Sequence, residues 1–296
     1  MQASEGTIPF RGHETWYRIV GDAEEPGRLP LLCLHGGPGA CHDYLESLER
    51  VAEIGRRVGF YDQLGCGKSS RTDESLWNVE TFVDEVGAVC EALGLDETHV
   101  FGSSWGGMLA MEYALTRPSG LASLVLSSSP ASIPIWAQEV NRLRSELPED
   151  VQRVLDEHEG AGTTDSPDYE AATMEFYKRH VCRLDPWPDD VLRTFAQLQE
   201  NPGVYLYMQG PNEFVITGTL KDWDITGRLG EIDVPTLVTS GRHDECTPMQ
   251  AELEHRGIRG SEWVVFEQSS HMQFAEEPER YLQVLDAFLT RVETAR

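Results

Sequence analysis

Lysine is nearly absent from this chain. Lys68, Lys178 and Lys221 are its three lysines, set against 50 acidic side chains, and the formal net charge is −26. Nucleic-acid binding needs clustered Lys and Arg to neutralise phosphates, and anionic membrane surfaces recruit polybasic segments, so neither is expected as a partner. A negative field favours cationic ligands, although it also simply promotes solubility. Long apolar runs are missing too. The longest are of strand length, which leaves no candidate transmembrane helix. The first ten residues carry no basic segment followed by an apolar core, so no secretory signal is expected and the location implied is cytoplasmic. The six cysteines, Cys33, Cys41, Cys66, Cys90, Cys182 and Cys246, contain no C-x-x-C pair. Their spacing suits neither a zinc site nor a disulfide framework, and reduced thiols are the expectation. There is no internal repeat and no low-complexity tract.

What is present is 40% hydrophobic residues over 296 positions, which bounds the chain to one large α/β domain, with or without an inserted subdomain, or two domains at most. Thr7 to Pro9 and Thr15 to Val20 read as an edge hairpin. Leu29 to Leu34, Arg57 to Tyr61, Val100 and Phe101, Leu121 to Leu126, Pro235 to Ser240 and Glu262 to Phe266 read as strands, several of them near-continuously apolar and so buried on both faces. Helical periodicity separates them over Val79 to Leu93 and closes the chain over Glu277 to Arg291. This alternation predicts an α/β fold with a mostly parallel central sheet and helices on both faces. The rhythm breaks between residues 130 and 230, where helical patches lie around 137–147, 151–158, 169–180 and 189–199. That stretch is assigned to a helical cap, leaving 1–129 and 231–296 as the catalytic domain. Trp136, Trp187, Trp223, Tyr205 and Tyr207 could line a pocket under it, or simply fill the core of the cap.

The stretch around which the rest is organised is Gly102-Ser103-Ser104-Trp105-Gly106, between an apolar strand and a helix with Met108, Leu109, Met111, Ala114 and Leu115 at helical spacing. Gly-x-Ser-x-Gly at a strand-to-helix turn is a nucleophile elbow. Strained backbone at the serine and close approach of strand to helix leave no room for side chains at the flanking positions. The turn lifts Ser104 above the sheet and aims the Trp105 N–H at a developing oxyanion. Upstream, His35-Gly36-Gly37-Pro38-Gly39 follows a buried strand, where open α/β sheets place ligands. The N–H of Gly37, or of Gly36, is the candidate second oxyanion donor. Asp62-Gln63-Leu64-Gly65-Cys66-Gly67-Lys68-Ser69 ends like a phosphate loop, but the glycine required five residues before Gly67 is Asp62, whose carboxylate repels phosphate. It reads as a structural turn bordering the site.

A serine hydroxyl needs a base, and the base needs a carboxylate to fix its tautomer. In this fold the partners follow the serine in the order acid, then histidine, on loops after later strands. Asp244 and His271 occupy those places. Asp233 precedes its strand, His255 falls in a helical stretch, His243 adjoins the proposed acid, and Asp222 and Asp224 are further rivals. With HGGPG at 35–39, Asp62-Gln63-x-Gly65-x-Gly67-x-Ser69, Gly102-x-Ser104-Trp105-Gly106-Gly107, Gly241-x-x-Asp244 and His271 together, the chain resembles the α/β-hydrolases of the proline iminopeptidase family, serine aminopeptidases that include the tricorn-interacting aminopeptidase. The resemblance implies Ser104, Asp244 and His271 as triad, Gly37 and Trp105 as oxyanion donors with His35 and Gly36 in support, and Glu213 and Glu245 as the anchor of a substrate ammonium. Physically, two carboxylates converging in a dry pocket repel one another unless a cation lies between them.

The expectation is an exopeptidase acting on short peptides or amino-acid amides, with proline one candidate preference. Rivals are an amino-acid amidase, an esterase, lactonase or carbon–carbon hydrolase of the same fold, and a non-catalytic ligand receptor. No metal or organic cofactor is implied, and oligomeric state is left open.

Overall fold

The apolar segments that carry no helical period become the middle of one sheet. In the computed structural model, which describes residues 2–296, the strands are β1 (Ala3–Phe10), β2 (His13–Val20), β3 (Leu31–Leu34), β4 (Val58–Tyr61), β5 (Thr98–Ser103), β6 (Leu121–Ser127), β7 (Thr236–Gly241) and β8 (Glu262–Phe266). Their order is β1-β2-β4-β3-β5-β6-β7-β8. Only β1 with β2 and β2 with β4 pair antiparallel; every other pair is parallel. Every residue of β3, β4, β5, β6 and β7 is buried. This is the signature of strands covered on both faces, as parallel crossovers require.

The crossovers supply the cover. They include α1 (Val79–Ala92) and α2 (Trp105–Leu115), and the chain later adds α8 (Pro248–Gly257), α9 (Gln273–Glu276) and α10 (Pro278–Thr294). Between β6 and β7 run α3 (Ile133–Arg144), α4 (Glu149–Ala161), α5 (Pro167–His180), α6 (Asp189–Glu200) and α7 (Gly203–Met208), with no strand among them. An isolated antiparallel bridge between Ser132 and Asp224 closes the neck of this insertion, and the Ser132 hydroxyl donates to the Asp224 carboxylate at 2.9 Å. Ser132 also caps α3, and Ser166 caps α5, each with proline in the first turn behind it.

The hairpin is longer than its sequence pattern suggested, because β1 keeps pairing through polar residues to Ala3. Two elements escaped the periodicity. Asp43–Ile54 is a 3-10 helix in which Leu45, Leu48 and Val51 are buried. Apolar residues at every third position fit three residues per turn, not 3.6. The six-residue α7 is too short to display a period.

Register brings the ends of the parallel strands together. Leu34 pairs with Gly102, Ser103 with Ser127, and Gly241 with Phe266. The loops after β3, β5, β6, β7 and β8 therefore emerge along one edge of the sheet, beneath the helical insertion.

Candidate active site

The elbow is built by exclusion of side chains. A Cβ on Gly102 would lie 2.2 Å from the Gly106 carbonyl oxygen, and one on Gly106 would lie 2.1 Å from that of Leu34. With that close approach α2 starts directly over β5, and Ser104 takes φ 55°, ψ −123°. A non-glycine residue held at positive φ costs roughly 1–3 kcal/mol, and such strain collects at functional sites. Among the described residues, neither the Trp105 N–H, at the first position of α2, nor the Gly37 N–H has a hydrogen-bond partner. The Gly36 N–H, by contrast, is taken by the Tyr44 hydroxyl at 2.8 Å. Of the two glycines, Gly37 is therefore the one whose N–H is free.

His271 Nδ1 donates to Asp244 Oδ1 at 2.7 Å. Burial alone would lower the imidazole pKa, but the charge of Asp244 and this bond outweigh it, and the net shift is upward. Asp244 is itself fixed from several sides. Its Oδ1 accepts from the Cys246 N–H at 2.8 Å, and its Oδ2 accepts from the Ser128 hydroxyl at 2.5 Å and Gln273 Nε2 at 3.2 Å. Gln273 also donates to the Ser270 carbonyl and accepts from the Ser127 hydroxyl, so one side chain ties the ends of β6, β7 and β8. Glu276 accepts from the Ser270 N–H at 2.7 Å and from the Arg183 N–H at 2.7 Å, joining the His271 loop to the insertion. The bonds from Ser128 to Asp244, Ser127 to Gln273 and Arg183 to Glu276 carried no sequence signal, because each joins segments far apart in the chain.

Ser104, His271, Glu213, Glu245 and Tyr205 line one cavity of about 460 Å³, roofed by residues of α5, α6 and α7. Glu245 follows Asp244 and is buried, with Oε1 3.8 Å from His271 Nδ1 and Oε2 lacking any partner. Burial, then the charges of Glu213 and Asp244, push its carboxyl well above the usual range. Glu213 approaches from the insertion, where its Oε1 accepts from the Tyr205 hydroxyl at 2.7 Å. Burial raises its pKa as well, against that bond and the neighbouring His271. The cavity thus holds two carboxyls that are costly to ionise unless a cation joins them.

Of the five aromatics singled out, Tyr205 lines this cavity and Trp136 lines a small recess beside it, its indole donating to the Glu213 carbonyl at 3.1 Å. The other three do not reach it. Trp187 stacks on Phe195, Trp223 bonds Glu112, and Tyr207 meets Trp77 edge-on. His243 offers its carbonyl to His180, while His255 sits on α8 and bonds Ser261. Asp222 and Asp233 are exposed, and Asp224 belongs to the neck. The Asp62 loop is structural in geometry. Its buried carboxylate accepts from the His42 N–H, His42 Nδ1 and the Lys68 N–H, where a phosphate would need donors. The cluster of His42, Asp43 and Glu46 is spaced for a metal, but the Arg193 guanidinium already pairs with Asp43 at 2.7 Å and Glu46 at 2.6 Å.

Comparison with known proteins bears on this arrangement. The α/β-hydrolase fold family matches residues 30–278. Proline iminopeptidase of Lactobacillus crispatus (strain ST1) is 41% identical over 296 residues, covering 98% of this chain and 99% of that protein. The crystal structure of proline iminopeptidase from Mycobacterium smegmatis superposes with a TM-score of 0.92 at 44% identity, covering 99% of each chain. That of VinJ superposes with a TM-score of 0.95 at 45% identity, covering 98% of this chain and 99% of VinJ.

Proposed function

Because the chain belongs to the α/β-hydrolase fold family and to the proline iminopeptidases within it, we propose that it is a serine exopeptidase releasing N-terminal residues, proline foremost, from short peptides. The observation that carries this reading is a single cavity lined by Ser104, His271 and the carboxyls of Glu213 and Glu245. Ser104 Oγ attacks the first carbonyl of the substrate. His271 Nε2 takes the hydroxyl proton, its Nδ1–H being held by Asp244. The N–H groups of Gly37 and Trp105 receive the oxyanion. His271 returns the proton to the leaving amine, and water then releases the acyl group. Glu213 and Glu245 hold the substrate ammonium, which neutralises two carboxyls that otherwise repel. A cytoplasmic location fits six free, buried cysteines. Among the described residues, no helix is long and apolar enough to cross a membrane.

The test is hydrolysis of proline, alanine and leucine anilides, each with a free and an N-acetylated amine, by the wild type and Ser104→Ala. Turnover confined to free amines, fastest for proline and abolished by the substitution, is the expected result. Equal turnover of blocked and free forms would remove the ammonium anchor and leave a general hydrolase. Turnover surviving Ser104→Ala would remove the nucleophile.

A further inference from the structure

The two oxyanion donors sit on separate pieces of backbone. Gly37 lies in a glycine-rich loop after β3, at φ 110°, and Trp105 lies in the first turn of α2. An oxyanion hole works only when its donors are preorganised, so something must fix their separation. The side chain of Gln63, from the loop after β4, bonds both pieces. Its Oε1 accepts from Trp105 Nε1 at 2.8 Å, and its Nε2 donates to the His35 carbonyl at 2.9 Å. An indole N–H can only donate and a carbonyl can only accept, so the amide orientation is fixed by its partners. The backbone of Gln63 adds a third link, its N–H donating to His35 Nε2 at 3.0 Å. That bond needs an unprotonated Nε2, so Nδ1 carries the proton and donates to the Gly36 carbonyl at 3.0 Å. Gln63, His35 and Trp105 are all buried, so no water substitutes for these contacts.

We propose that Gln63 is the positioning residue of the oxyanion hole, bracing the Gly37 loop against the elbow so that both N–H groups converge on one point above Ser104. The residue type follows from the geometry. Glutamate would face the His35 carbonyl without a donor, and asparagine is one methylene short. The proposal rests on the oxyanion reading given above, and its experiment separates the two.

Gln63→Met keeps the side-chain length and removes both polar bonds. Hydrolysis of proline anilide by this variant should show kcat lower by about 100-fold with KM within about twofold, since a misplaced hole is felt in the transition state alone. Inhibition by a prolyl boronic acid, which forms a tetrahedral adduct on the serine, should weaken by a similar factor. Inhibition by pyrrolidine, which carries the ring ammonium but no carboxylate to enter the hole, should stay unchanged. Trp105→Phe keeps the backbone donor, removes only the indole N–H and should move the same quantities in the same direction by less. The double variant should be no worse than Gln63→Met. Boronate and pyrrolidine affinities weakening together would mean a general collapse of the site and overturn the proposal, as would a kcat within about threefold of wild type. If Gln63→Met does not fold, unchanged boronate affinity in Trp105→Phe overturns it. Turnover surviving in Ser104→Ala would instead strike the nucleophile reading.

Discussion

Glu245→Gln isolates the ammonium anchor from the hydrolytic machinery. The substitution preserves shape and removes charge at a side chain whose Oε2 has no protein partner to lose. Removing one member of a buried charge pair costs about 3–5 kcal/mol. Two features of this site reduce the figure. Glu213 remains to meet the ammonium, and Glu245 must first release a proton, because burial and its acidic neighbours raise its pKa. The net expectation is about 2–3 kcal/mol, roughly 30- to 150-fold in kcat/KM for proline anilide, at 1.4 kcal/mol per tenfold. Cleavage of p-nitrophenyl acetate, which has no ammonium, should change little. The pH profiles supply an independent check. A carboxyl with a raised pKa holds the ammonium only when ionised, so acidification should raise KM for the anilide, an effect the acetate, which has no ammonium, should not show. In Glu245→Gln that acid-dependent rise in KM should shrink, since the carboxyl with the strongly raised pKa is gone. Equal losses on both substrates, or a loss on the anilide below about threefold, would refute the anchor.

Two predictions concern stability. Glu85 is buried on α1, accepts from the Thr15 hydroxyl at 2.5 Å and the Leu64 N–H at 3.1 Å, and has its pKa pushed up by burial to about 8. A carboxyl raised in the folded state is protonated there while ionised in the unfolded chain, so it removes stability as pH rises between the two values. Denaturant titrations of Glu85→Gln and wild type should therefore agree near pH 5 and diverge by on the order of 4 kcal/mol in favour of the variant near pH 9; a difference that does not vary with pH would refute this. Glu293 on α10 is the opposite case. Burial opposes its charge, but bonds from His99, Arg56, the Leu29 N–H and Arg28 prevail and its pKa falls. Its contribution is complete above the ordinary carboxyl range and is lost only as pH falls through the lowered value. Glu293→Gln, which strands the fully buried Arg56 beside Asp286 alone, should cost about 3 kcal/mol at neutral pH, read by thermal or denaturant unfolding.

The buried Asp244 carboxyl is held by donors on several sides. Its carboxylate receives hydroxyl, amide and backbone donors from three strand ends, and the His180 ring and Glu276 carboxylate clamp the neighbouring loops to the insertion. The insertion is therefore more than a roof. It supplies Glu213 and its partner Tyr205, and through Arg183 and His180 it braces the loops that carry His271 and Asp244.

What the sequence determined by itself is whatever local physics dictates. The apolar stretches at 29–34, 57–61 and 121–126 read as strands, and β3, β4 and β6 lie within a residue or two of those bounds and are buried throughout. Gly102 and Gly106 had to flank a turn too tight for side chains. Asp62 ruled out a phosphate loop from its charge alone. Ser104, Asp244 and His271 could be picked out as candidates because they follow three strands, β5, β7 and β8, in a fixed order along the chain. Tertiary structure decided everything that depends on two distant segments meeting. Tyr44 occupies the Gly36 N–H, so the choice between Gly36 and Gly37 is made by a residue whose 3-10 helix gives no helical period. Tyr205 faces the cavity while Trp187 and Trp223 do not, because the packing of the inserted helices, not residue type, sets which aromatic surface is free. Gln63 and Gln273 are polar residues in loops, without periodicity or charge to mark them. Their significance arises only when the register of the sheet brings His35, Trp105, Ser128 and Asp244 within reach of a single amide.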